Sequence, residues 1–107
     1  MAAVYIQDET ELDTLLETEA LFVVDCTATW CDPCKLIAPL IDKLALEYSK
    51  SVKVFKLDLD ASQAVAKRFG IRSIPAVMFF EQGTLAQTMV DVKSYEEFSS
   101  ALAQYLG

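Results

Sequence analysis

Histidine is missing altogether from this chain. That one absence removes Ser/His and Cys/His nucleophilic machinery and every imidazole metal ligand, which excludes histidine-assisted hydrolysis. Basic residues are scarce as well: 9 Lys and Arg against 16 Asp and Glu give a net charge of -7 and a pI near 4.4. Such a surface repels phosphate backbones and anionic lipids, so neither a nucleic-acid partner nor a membrane-surface role is expected, and partners should be proteins. No apolar run approaches the roughly 18 to 20 residues of a membrane span, and residues 1–8 carry no basic cluster or long apolar stretch of a secretion signal. A cytoplasmic or equivalent reducing compartment is the expectation. Flexible linkers, low-complexity stretches and internal repeats are lacking too. With 107 residues, 53% of them hydrophobic, the chain has material for one core and not for two, so residues 1–107 are expected to form a single domain.

Cysteine is the most instructive scarcity, because 3 cysteines cannot close a set of internal disulfides. That argues against a stapled secreted scaffold and for redox use of a pair. Two of them lie in the run Trp30, Cys31, Asp32, Pro33, Cys34, Lys35, where thiols three positions apart can close a small ring with each other. Pro33 suits the first turn of a helix, and Ile37, Leu40, Ile41, Leu44 and Tyr48 then repeat at helical spacing. Cys31 therefore stands at the positive end of a helix, where unpaired N–H groups and the macrodipole favour the thiolate, the attacking species. Cys31 is the expected nucleophile. Cys34, one turn further in, is expected to attack the mixed disulfide on Cys31 and release the reduced partner.

The remaining apolar blocks alternate in character. Residues 3–7 read as a short strand; Asp8 with Glu11 forms a capping arrangement for a helix carrying Leu12, Leu15 and Leu16. Residues 21–27 are apolar and β-branched enough for a buried strand, leading into a cysteine helix that runs to about Ser49 with Pro39 kinking it. Residues 52–59 read as the next strand, and Asp60 as the cap of a short helix running through Arg68 and stopped by Gly70. After Pro75, residues 77–80 and 85–92 form a hairpin around Gln82 and Gly83. A capping box of Ser94 and Glu97 starts a terminal helix with Phe98, Ala101, Leu102 and Tyr105 on one face. The order β, α, β, α, β, α, β, β, α implies an α/β fold, a mixed sheet with helices on both faces.

These residues resemble the thioredoxin family over essentially the whole chain. The matching pieces are Val24 and Asp25, Ala28, the Trp-Cys-x-Pro-Cys-Lys run from Trp30 to Lys35, Ala38 and Pro39, Lys56, Asp60, the segment from Gly70 through Ile71, Arg72, Ser73 and Ile74 to Pro75, and Gly83. A lone Cys-x-x-Cys is a modest signal; flanked by Trp30 and Pro33 and followed by Ile74 and Pro75, it is highly specific. The resemblance implies a thioredoxin fold, a central five-stranded mixed sheet flanked by four helices, and reversible dithiol reduction of protein disulfides. It implies no cofactor, a monomer, re-reduction by a thioredoxin reductase, and disulfide-containing client proteins.

Asp25 sits among Leu21, Phe22, Val23 and Val24, so burial should raise its pKa. Read without the family it is a structural acid; similarity to thioredoxin makes it the proton acceptor that helps deprotonate Cys34, with Lys56 on the neighbouring strand as charge partner. Pro75 read alone is a trans proline at a strand edge. The resemblance makes it a cis proline opposite the dithiol, turning the backbone of Ser73 and Ile74 toward an extended substrate strand. Trp30, the only tryptophan, fits an exposed docking surface beside Cys31 better than core filling.

Four positions depart from the family pattern. Asp32 stands where glycine is usual, and at roughly 7 Å in a wet dielectric of about 60 its charge opposes the Cys31 thiolate by about 0.8 kcal/mol. The pair should become more reducing by at most about 15 to 20 mV; the plainer role for Asp32 is to help the helix start. Thr27 replaces a second tryptophan, and Asp91 lies near a glycine that borders the substrate groove. A carboxylate at Asp91 near Asp32 is expected to favour basic clients over acidic ones, against the plainer reading of neutral drift. Cys26 reads as a small buried hydrophobe pointing away from Asp25. Its spacing with Cys31 and Cys34 matches plant-type iron–sulfur ligation, yet a fourth cysteine is missing and the strand directs Cys26 the wrong way, so no metal is expected. The competing function is an interaction module of the same fold, in which Thr27, Asp32 and Asp91 hold one particular partner.

Overall fold

The cysteine helix has to start somewhere fixed, and the strand before it supplies the anchor. In a computed structural model, which describes residues 3–107, strand β2 (Leu21–Thr27) is buried along almost its whole length. Its unbroken apolar run suits a central strand covered on both faces. Strand β1 (Val4–Tyr5) pairs parallel with β3 (Lys53–Asp58), which pairs parallel with β2; β4 (Ala76–Glu81) and β5 (Thr84–Val90) follow antiparallel. The sheet order is β1-β3-β2-β4-β5, five mixed strands. Helices α1 (Glu9–Thr18), α2 (Asp32–Glu47), α3 (Gln63–Arg68) and α4 (Tyr95–Leu106) complete the expected thioredoxin fold.

Strand alternation divides the core in two. Val23, Val54, Val77 and Phe79 pack with Ile37, Ile41 and Leu44 of α2 and Phe98 and Leu102 of α4. Phe22, Val24, Cys26 and Leu57 point the other way, toward Leu12 and Leu15 of α1 and Val65 of α3. Asp25 and Lys56 follow the parity of Val23 and Val54, so their side chains lie on the α2 side.

Local chemistry explains most boundaries. Asp8 accepts from the Glu11 amide at 2.8 Å, and Ser94 and Glu97 form the reciprocal capping box. Gln82 and Gly83 both have positive φ, 52° and 78°, as a two-residue hairpin turn requires. Gly70, at φ 71°, stops α3.

Three expectations need correction. The first strand is two residues long and not five; beyond it the Ile6 amide still donates to the Lys56 carbonyl at 2.8 Å, and the Gln7 amide donates to the Glu11 side chain at 2.7 Å as the chain enters α1. Asp60 does not cap α3: Ser62 holds that position without a side-chain cap bond, and the Asp60 carboxylate is bound by Trp30 instead. The second hairpin arm ends at Val90 and not at residue 92, since Asp91 turns to φ 77° and leaves the extended region. Met1 and Ala2, within the segment read as carrying no secretion signal, lie outside the described residues. No helix among the described residues is long and apolar enough to cross a membrane.

Candidate active site

Chain direction brings the sulfurs to the carboxyl end of β2. Cys31 is the N-cap of α2, with Pro33 in the first turn, and the Cys34 amide donates to Cys31 Sγ at 3.2 Å. This is the hydrogen bond that an N-terminal thiolate would receive, from a donor with no intrahelical partner. Cys31 and Cys34 are joined as a disulfide with their Cα atoms 5.3 Å apart. Both are buried, and they pack with Ala28 and Ile74.

Ile74 connects the dithiol to the segment before β4. The Ile74–Pro75 peptide is cis, and the Asp91 amide donates to the Pro75 carbonyl at 3.0 Å. Ser73 and Asp91 are exposed, Ile74 half-buried and Pro75 buried. Trp30 is 66% exposed, and its indole Nε1–H donates to Asp60 Oδ2 at 2.9 Å. Asp32 is exposed and pairs with Lys35 at 3.4 Å. The residues expected to meet a substrate, Trp30, Asp32, Pro33, Ser73, Ile74, Pro75 and Asp91, thus lie on chain segments that converge on one end of the sheet.

Asp25 lies deeper on β2 and is 1% exposed. Its Oδ1 has no hydrogen-bond partner among the described residues. Burial pushes its carboxyl up to about 7, with Lys56 pulling it down and Asp42 pushing it further up. Lys56 is the register partner of Asp25 across β2 and β3, as expected of a charge partner. Its ion pair, however, is with Asp42 of α2 at 3.1 Å, so it acts on Asp25 through space and not by a salt bridge of its own. Sequence reading missed Asp42, since nothing in α2 announces that it meets β3. It also missed the Trp30–Asp60 bond, because Asp60 was assigned to a cap.

The departures from the family pattern have distinct surroundings. Thr27 lines a cleft of about 200 Å³ together with Tyr5, Thr29, Cys34, Lys35 and Asp58. Cys26 is fully buried among apolar neighbours, and burial, helped by the charge of Asp25, pushes its thiol up to about 12. Among the described residues no three His, Cys, Asp or Glu side chains are grouped to hold a metal ion.

Comparison with known proteins agrees with this geometry. The thioredoxin family model matches residues 3–104. A chloroplastic M-type thioredoxin of Spinacia oleracea is 39% identical over 101 residues, covering 94% of this chain; the chain spans 56% of that relative's length. Thioredoxin 1 of Synechococcus elongatus is 36% identical over 104 residues, with 97% of each chain covered. Among solved structures, a mutant thioredoxin from Halobacterium salinarum superposes with a TM-score of 0.91 at 27% identity, covering 99% of this chain and 92% of its own.

Proposed function

This chain belongs to the thioredoxin family, whose members are thiol–disulfide oxidoreductases, and from that premise we propose that it reduces disulfides of client proteins. The observation that carries the reading is the Cys34 amide directed at Cys31 Sγ at the start of α2. In the dithiol form the Cys31 thiolate attacks one sulfur of the client disulfide. That client bond breaks, its other sulfur departs as a thiolate and takes up a proton, and a mixed disulfide forms on Cys31. Cys34 gives its proton to Asp25 and attacks Cys31 Sγ, which closes the Cys31–Cys34 disulfide and expels the second client sulfur as a thiolate that takes up a proton as Asp25 returns its own to solvent. The client has gained two electrons and two protons.

Asp25 suits this task because its carboxyl titrates near neutrality, so one side chain can hold and release a proton at working pH. Lys56 keeps the anion accessible. Trp30, Pro33 and the main chain of Ser73 and Ile74, beside Pro75, form the client-docking face, and Asp32 and Asp91 bias it toward basic clients. A thioredoxin reductase restores the dithiol. The protein acts as a monomer, without a cofactor, in the cytoplasm or an equivalent reducing compartment. Insulin reduction with dithiothreitol tests the reading: the wild type should turn over and Cys31→Ser should not. Negligible wild-type activity would instead favour a partner-holding module built on the face that carries Asp32 and Asp91.

A further inference from the structure

Among the described residues, Lys56 is the cation whose charge reaches the buried Asp25, and it is committed elsewhere. Its side chain is only 13% exposed, yet its ammonium sits 3.1 Å from Asp42 Oδ1. The same Asp42 oxygen accepts the Ala3 amide at 3.2 Å, so α2, β3 and the residue before β1 meet at this carboxylate. The neighbouring α2 residue, Lys43, turns to the Tyr95 ring of α4, whereas Asp42 meets β3 through Lys56. On the other side of Asp25, its register partner on β4 is the apolar Val77. The charges acting on Asp25 are therefore Lys56 from β3 and Asp42 from α2, of opposite sign and in contact with each other.

We infer that Asp42 is a positioning residue: it draws the Lys56 ammonium away from Asp25 and so sets how much positive charge the buried carboxyl receives. Asp42 touches neither sulfur nor client; it acts through Lys56. Its link to catalysis rests on Asp25 serving as proton acceptor, whereas its effect on the Asp25 proton does not. With the charge of Asp42 removed, Lys56 is free to turn toward Asp25 and a nearby like charge disappears, and both changes favour the Asp25 anion.

The test is a titration of the Asp25 side-chain carboxyl by carbon-detected NMR on the full, oxidised chain. Asp42→Asn, which keeps an oxygen for the Ala3 amide, should lower the midpoint by roughly half a pH unit, and Asp42→Glu should restore the wild-type value. In a Lys56→Met background the Asp42→Asn shift should shrink, since only the direct repulsion is left to remove. An unchanged midpoint in Asp42→Asn, or an equal shift with and without Lys56, overturns the inference, whatever happens to the unfolding midpoint. If the midpoint falls and the pH profile of mixed-disulfide resolution does not follow, the inference about Asp42 stands and the proton-acceptor role of Asp25 fails.

Discussion

Asp25 and Cys26 are consecutive residues of β2, equally hidden from solvent, and they face opposite sides of the same sheet. Burial acts on both in the same direction, raising the pKa of each acid. It brings the carboxyl to about 7 and the thiol to about 12. The companions differ as well: Lys56 opposes the rise at Asp25, whereas the charge of Asp25 adds to the rise at Cys26. One desolvation effect thus produces a group that exchanges protons at working pH and a neighbour that stays a neutral hydrophobe. Burial alone does not mark a functional acid; the starting value and the charges on the same face decide.

Replacing Asp25 tests this contrast with the largest effect. Its carboxyl moves from 3.8 to about 7 on folding, so between those values the native state holds a proton that the unfolded chain has released. Stability therefore falls as pH rises across that window and levels off above it. The shift corresponds to a loss on the order of 4 kcal/mol. Asp25→Asn, with no proton to lose, should be more stable than wild type at pH 9 by that order, and the gap should close toward pH 3.5. Urea unfolding at the two pH values measures it; a gap independent of pH would show that burial of the charge is not the cause. The same variant should resolve mixed disulfides more slowly near neutrality.

Cys26 supplies the counterpart on the other face. Cys26→Ser places a hydroxyl among Phe22, Val24 and Leu57, where it lacks a ready partner, and should cost about 1 to 3 kcal/mol. Insulin reduction should be unaffected, and native, reduced protein treated with iodoacetamide at pH 8 should be alkylated at Cys31 and not at Cys26. Labelling of Cys26 under those conditions would erase the distinction between the two faces.

Much of this was legible in the chain because the signals are local. The Asp8 and Ser94 caps, the Gln82–Gly83 turn and the Gly70 stop each depend on residues within a few positions of one another. The dithiol, Pro75 and Asp25 were legible through spacing and family resemblance. What escaped is tertiary. Asp42 gains meaning only once α2 lies against β3, and Asp60 only once the loop after β3 comes under Trp30. The first strand stops early where the chain turns into α1 and the Gln7 amide meets the Glu11 side chain, a contact that alternation does not reveal.

The smallest effect concerns the mouth of the site, where solvent weakens what burial strengthens around Asp25. Asp32 is 91% exposed at its side chain, and Lys35 lies 3.4 Å away, so part of its charge is answered before it reaches Cys31. Asp32→Gly should therefore lower the Cys31 thiol pKa and make the reduction potential less negative by at most about 15 to 20 mV. Asp32→Asn separates charge from helix chemistry, because it removes the charge and keeps a side chain in the first turn. Equal shifts in the two variants identify electrostatic opposition to the thiolate; a change confined to the glycine variant identifies the helix start. In 1 M salt, where the screening length falls to about 3 Å, the electrostatic part should disappear.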